Sequence, residues 1–232
     1  GLEPSTKVLE THVLPLHHAP TERFESIHDL SRFVNRKIQT SVFCVPVPSC
    51  GAARDRAVAE FGSIEVLCNF AGGTAVRMQK VDRKKYPEFP DVPIAVFDWG
   101  IDVNLKGPFY FAHAVLKQMR TQNGGLIVNI GSITGQEGDG YGMEYPTSKA
   151  GLMFGLTKSI AQYGSKYGIR CVCVSPGPVL TRPAMANMKT LLGRAAEPQE
   201  IIDLVLFIAS EKGQFINGEN ILIDGGRNAM TR

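Results

Sequence analysis

The sequence predicts an α/β fold, a parallel sheet covered by helices, and two observations predict it. From residue 63 onward short apolar runs alternate with longer segments of helical periodicity, the order that βαβ units require. The strand-like runs also end in tight turns: Asn69-Phe-Ala-Gly-Gly73, Ser175-Pro-Gly-Pro178 and Asp224-Gly-Gly226.

Taken in order, Lys7–Leu14 reads as a strand, Phe24–Val34 as a helix, Thr40–Val47 as a strand and Ala52–Phe61 as a helix. Ile64–Cys68 is a short buried strand. Phe97–Met119 carries a long helix, because Phe109, Ala112, Val115, Leu116 and Met119 fall on one helical face. Asn123-Gly-Gly125 ends it, and Leu126–Ile130 is the next strand. A glycine-rich loop over 131–144 leads into a helix over Tyr145–Tyr163, followed by a strand at Arg170–Val174. Pro198 opens a helix that runs through Ala209, since proline suits a first turn, and Asn220–Ile223 is the last strand. The whole is a Rossmann-like doubly wound parallel sheet in a single domain over 1–232, with no repeat or linker to divide it.

Composition narrows the function classes. The chain has 232 residues, 44% hydrophobic and 20% charged, enough for one well-filled core. A net charge of +3 gives no argument for nucleic acid. The five cysteines, Cys44, Cys50, Cys68, Cys171 and Cys173, form no CxxC pair and no metal-ligand spacing. Several lie in apolar runs, where cysteine behaves as a small hydrophobe. An odd count without a recognisable leader points to a reducing, cytoplasmic setting. No apolar run reaches the roughly 20 residues of a membrane span.

The chemistry-bearing pattern is Tyr145-Pro-Thr-Ser-Lys149, with Ser132 upstream. Residues four apart share a helical face, so a phenol and an ammonium project together. A cation beside a phenol favours the phenolate and lets the phenol exchange protons. Ser132 can hydrogen-bond a substrate hydroxyl or carbonyl oxygen. The combination suits alcohol–carbonyl redox chemistry, which also needs a hydride carrier.

Tyr145-x-x-x-Lys149, Ser132, Asn104 within Asp102-Val-Asn-Leu-Lys-Gly107, Asn69-Phe-Ala-Gly72, Ser175-Pro-Gly-Pro178 and the tail Gly218–Gly226 together resemble the short-chain dehydrogenase/reductase family over about residues 52–226. The resemblance implies an NAD- or NADP-dependent oxidoreductase. It makes Tyr145 the acid/base, Lys149 its neighbour and a ribose contact, Ser132 the substrate-orienting hydroxyl, and Asn104 the holder of a relay water. Asn69, Ala71, Gly72, Pro176, Gly177 and Thr181 become cofactor-side positions.

The first 62 residues depart from that family. A member would open with a strand and a GxxxGxG loop whose glycines admit a pyrophosphate at a helix N-terminus. Here Gly1 is the only glycine before Gly51, and Leu14–Thr21 supplies two histidines and two prolines instead. Val47-Pro-Ser49 stands where an adenosine-binding acid is common, and Phe70 replaces the second asparagine of an Asn-Asn-Ala-Gly turn. Only two strand–helix units precede Ile64 where the family has three, so the sheet is expected to be one unit short, with 1–62 divergent and 63–232 family-like.

Three remaining patterns are read plainly. His17-His18 lacks neighbouring ligands and is no metal pair, so no metal is expected. Gly138-x-Gly-x-Gly142 precedes the catalytic helix and reads as an active-site loop rather than a phosphate loop. Arg77, Lys80, Arg83, Lys84 and Lys85 form a basic segment that reads as a solvated loop, with an anionic substrate such as an acyl-CoA as the sharper alternative. The expected function is therefore a structural or supporting subunit, itself a pseudoenzyme, of a short-chain alcohol dehydrogenase complex, one that does not hold NAD(P) alone. It would pair with an active relative, or with itself, through the two long helices. The family includes such hetero-oligomers, one acting on a hydroxyacyl-CoA in toluene (benzylsuccinate) degradation. The alternative is an active NAD(P)-dependent enzyme with an atypical cofactor grip.

Overall fold

The structure, a computed structural model, describes residues 9–10, 12–14, 41–42 and 47–230. The expected helix over Phe24–Val34 and the His17-His18 pair lie outside the described residues. Strands β1 (Leu9–Glu10), β2 (His12–Leu14) and β3 (Ser41–Val42) precede helix α1 (Val47–Phe61). The helix starts before Ala52 and takes in Val47, which the sequence reading gave to a strand. Pro48 then falls in its first turn, where a missing N–H costs nothing.

The main sheet has the order β2-β4-β5-β6-β7, with β4 Val66–Asn69, β5 Gly125–Ile130, β6 Ile169–Pro176 and β7 Asn220–Ile223. Strands β4 to β7 run parallel, as expected. The first strands correct the sequence reading. Lys7–Leu14 is not one parallel strand: β2 lies antiparallel on β4, with His12 opposite Cys68, and β1 pairs with β3 in a separate two-stranded ribbon. A parallel neighbour requires a crossover connection, whereas an antiparallel edge strand does not.

Both faces of the parallel strands are covered, so their residues are apolar on both sides. On one face Leu67, Ile127 and Cys171 pack with Ala57 of α1, Phe111, Val115 and Met119 of α4 (Gly107–Gln122), and Ile160 of α7 (Thr157–Gly164). On the other, Val66, Val128, Val172 and Val174 pack on Ile201, Val205 and Ile208 of α8 (Pro198–Ala209). Each such aliphatic side chain contributes about 1.5–3 kcal/mol on burial.

The two long helices are not regular. Helix α3 (Ile94–Ile101) passes through a π turn, Asp102–Lys106, into α4. The catalytic helix begins as α6 (Glu144–Ala150), passes through a second π segment, Gly151–Leu156, and continues as α7. The two π turns meet: a β-carbon on Gly151 would lie 3.2 Å from Leu105 Cδ2. Short helices α2 (Ala75–Met78) and α5 (Thr134–Glu137) follow β4 and β5.

Candidate active site

The candidate residues gather at the carboxyl ends of β4, β5 and β6, where open α/β sheets place their ligands. Helix α6 carries Tyr145 and Lys149 on one face. Lys149 is 3% exposed, its Nζ donates to the Ile130 carbonyl at 2.6 Å, and it lies 5.7 Å from the Tyr145 ring centroid. The ammonium is thus held against the end of β5 and beside the phenol, as the pairing requires. Ser132 is buried just beyond β5, and its Oγ accepts the Thr134 N–H at 3.2 Å. That bond leaves the hydroxyl proton free to be donated elsewhere.

Asn104 sits in the first π turn and is fully buried. Its Nδ2 donates to the Gly73 and Gly100 carbonyls, at 3.0 and 2.9 Å, and its Oδ1 accepts the Gly73 N–H at 2.9 Å. Both donors are therefore spent on backbone, and the side chain fixes the turn after β4. A β-carbon on Gly72 would lie 2.7 Å from Asn104 Oδ1 and 3.2 Å from Lys149 Nζ, so these two groups approach over the bare glycine backbone.

The cofactor-side positions divide. At the end of β6, Pro176 pairs with Ile223, and Gly177 lies flat on the Asp224 turn, where a β-carbon would come within 2.7 Å of Asp224 Cα. Thr181 is exposed, and its hydroxyl donates to the Val179 carbonyl at 3.4 Å, a loop-capping contact. Asn69 is buried at the tip of β4. Its Nδ2 donates to Asn129 Oδ1 at 2.9 Å, and its own Oδ1 has no hydrogen-bond partner among the described residues. Among the described residues, β2 pairs with β4 from Val66 to Cys68. Ala71 and Gly72 follow it in the half-exposed turn.

A nicotinamide nucleotide is tested against these residues at two ends. The buried Lys149 beside Tyr145, the bare Gly72 and the Pro176-Gly177 turn fit a ribose and nicotinamide. Toward the other end, the sequence before Val47 holds Gly1 as its only glycine. The stretch that would meet a pyrophosphate lies outside the described residues.

Two features escaped the sequence reading. A buried polar ladder crosses the sheet, from Asn69 to Asn129, from Asn129 Nδ2 to Thr157 Oγ1 at 3.0 Å, and from Thr157 Oγ1 to the Leu152 carbonyl at 2.7 Å. Glu144, next to Tyr145, is 3% exposed, and its Oε1 accepts from Thr74 Oγ1 and the Ala75 N–H. An acidic residue directly preceding the tyrosine was the only available signal. The basic segment is exposed, with the Arg83 guanidinium 4.2 Å from the Tyr141 ring centroid and Lys85 Nζ 5.1 Å from that of Tyr86. A cavity of 760 Å³ opens at the amino ends of the strands beside Ser63, Gly125 and Ile169, away from Tyr145. No described helix is long and apolar enough to cross a membrane.

Comparison with known proteins gives the family. The family model described as enoyl-(acyl carrier protein) reductase matches residues 47–228. The 7alpha-hydroxysteroid dehydrogenase of Bacteroides fragilis is 38% identical over 177 residues, 72% of this chain and 65% of that protein. The acetoacetyl-CoA reductase of Rhizobium meliloti is 35% identical, over 74% of this chain and 71% of that one. Among solved structures, the acetoin dehydrogenase YohF of Salmonella typhimurium matches with a TM-score of 0.67 and 26% identity, covering 78% of this chain and 71% of that one. The chain belongs to the short-chain dehydrogenase/reductase family. It spans about two thirds of the length of these relatives, and the family match begins at α1.

Proposed function

We propose that these 232 residues form the acid–base half of an alcohol–carbonyl oxidoreductase site and work as a subunit beside a nucleotide-competent relative. The carrying observation is a contrast: Lys149, Asn104 and Gly72 are in close contact beyond the tip of β4, while the sequence before Val47 has Gly1 as its only glycine, so no GxxxGxG loop can be read there. In the forward sense Tyr145 passes its proton to a carbonyl oxygen that Ser132 orients, with Lys149 offsetting the charge left on the phenolate. NAD or NADP, when bound, supplies or accepts the hydride. Exposed Phe109, Phe154 and Tyr163 on the two long helices give an apolar face for a second subunit, of this chain or a relative. The exposed basic segment suits an anionic substrate such as an acyl-CoA, the class named in the acetoacetyl-CoA reductase relative. The buried, unpaired cysteines accord with a cytoplasmic setting.

The second reading, a chain active alone with an atypical cofactor grip, is favoured by the close placement of Tyr145 and Lys149. Titration of the isolated chain with NAD⁺, NADH, NADP⁺ and NADPH separates the two. No binding below about millimolar supports the subunit reading, and micromolar binding of any of the four overturns it. In an active pair, Tyr145→Phe here is expected to abolish turnover, and unchanged turnover would show that the partner does the chemistry.

A further inference from the structure

Glu144 is the one buried acidic side chain among the described residues, and no step of the proposed chemistry uses it. Its Oε1 accepts three donors: Thr74 Oγ1 at 3.0 Å, the Ala75 N–H at 2.8 Å and the Val76 N–H at 3.4 Å. The carboxyl group therefore grips the start of α2, on the far side of the turn that Asn104 holds at Gly73. Gly100 of α3 makes room for it. A β-carbon there would stand 2.2 Å from Glu144 Cγ and 2.7 Å from its Cβ, so the stem of the glutamate fills the notch that the glycine leaves. Asn104 binds the carbonyl of that same Gly100.

Packing does only part of this job. A cavity of 220 Å³ lies between the wall residues Phe89, Val92 and Phe97 and the side chains of Tyr141 and Glu144. A wall with a void behind it depends on directional bonds as well as on close contact. The other such bond comes from Tyr141, whose hydroxyl donates to the Tyr86 carbonyl at 2.5 Å. Tyr145 begins the turn of α6 directly after Glu144, and its own N–H donates to the Gly142 carbonyl at 3.2 Å. Where the glutamate is anchored, the tyrosine is placed.

We propose that Glu144 is a positioning residue for Tyr145: it pins the first turn of the catalytic helix to the Thr74–Gly100 wall and so fixes the phenol relative to Ser132 and Lys149. This rests on the reading of Tyr145 as the acid/base. A misplacement of about 1 Å in such a group costs on the order of 100-fold in rate.

The test uses the full chain, assembled with its partner if turnover needs one, with acetoacetyl-CoA and NADPH or NADH as probes. Glu144→Ala is expected to lower kcat by about 10- to 100-fold with KM within about threefold. Glu144→Gln keeps an oxygen at the same place and restores kcat to within about threefold of the parent. In amide exchange on the free chain, Ala75 and Val76 lose at least about tenfold protection in Glu144→Ala and keep it in Glu144→Gln. A kcat for Glu144→Ala within about twofold of the parent overturns the proposal, and so does a Gln variant as damaged as the Ala variant. Should Glu144→Ala not fold, Gly100→Ala displaces the same side chain from the opposite side. A folded Gly100→Ala with unchanged kcat and unchanged exchange at Ala75 likewise overturns it. If the parent shows no turnover in any assembly, the functional reading fails, while the exchange measurement still decides whether Glu144 anchors the wall.

Discussion

Arg227, in the turn after β7, holds Glu137 of α5 through two bonds, Nε to Oε1 at 2.8 Å and Nη2 to Oε2 at 3.0 Å. The same guanidinium donates to the Lys189 carbonyl at 3.2 Å, so one side chain joins the tail, the loop after Ser132 and the 180–197 segment. The pair is mostly shielded, with side chains 24% and 18% exposed, and its fork geometry suits arginine alone. Arg227→Lys keeps the charge but loses the second bond. It is expected to cost about 1 kcal/mol in urea unfolding, as is Glu137→Gln, with a double-mutant coupling of similar size. A coupling near zero would show that the pair is incidental.

Gly131 allows Ser175 and Met153 to meet beneath the end of β5. A β-carbon there would lie 2.1 Å from Ser175 Oγ and 2.7 Å from Met153 Cγ. Gly131→Ala therefore forces the strand end apart and is expected to destabilise the chain by about 1–3 kcal/mol. Gly124→Ala, where no atom lies within 4 Å, serves as the control and should cost far less. Thermal unfolding of the two variants side by side gives the comparison.

The same relationships show how far the sequence could be read. Pro198–Ala209 and Asn220–Ile223 are found where proline placement and apolar pattern put them, because local signals set those boundaries. The placement of Tyr145, Lys149 and Ser132 was legible because helix spacing and strand ends are local properties too. The antiparallel β2 was not, since strand direction is decided by pairing partners far apart in the chain. The two π turns were also invisible: Asn104 and Leu105 read as ordinary helix, and only the approach of Gly151 to Leu105 explains why one helix widens beside the other. Glu144 fell at the end of the glycine-rich loop in the sequence reading, and its burial depends on Gly100, more than forty residues away.

The buried thiols give a pH-dependent prediction. Burial pushes the Cys68 thiol up to about 12, and Cys171 and Cys173 upward as well. Thiolate is the reactive form, so none of the three should be labelled by an aromatic disulfide reagent between pH 7 and pH 9 (on the order of an ordinary thiol pKa) while the chain is folded. Because the folded values lie above the unfolded ones, their stabilising contribution is full below the ordinary thiol range. It declines as pH rises from there toward about 12 for Cys68. Peptide mapping after labelling checks each site, and native labelling of Cys68 at pH 8 (roughly neutral to alkaline) would contradict its placement in the core.

The opposite sign applies at Glu200 in the first turn of α8. The Arg194 guanidinium, at 2.6 and 2.8 Å, and the Glu197 N–H, at 2.8 Å, together hold its carboxyl down at about 2. A depressed folded value means that the interaction is intact above the ordinary glutamate range and is lost as pH falls toward about 2. Carbon-detected titration of the Glu200 carboxyl should follow that curve. Glu200→Gln should remove the acid-side change while leaving the capping bond to Glu197, because the amide oxygen still accepts it. The Arg194 turn closes the 188–194 segment, where Thr190 Oγ1 donates to the Arg194 carbonyl at 2.8 Å. Loss of the ion pair in acid should therefore raise amide exchange there before α8 itself unfolds, and simultaneous loss of both would show that the segment has no stability of its own.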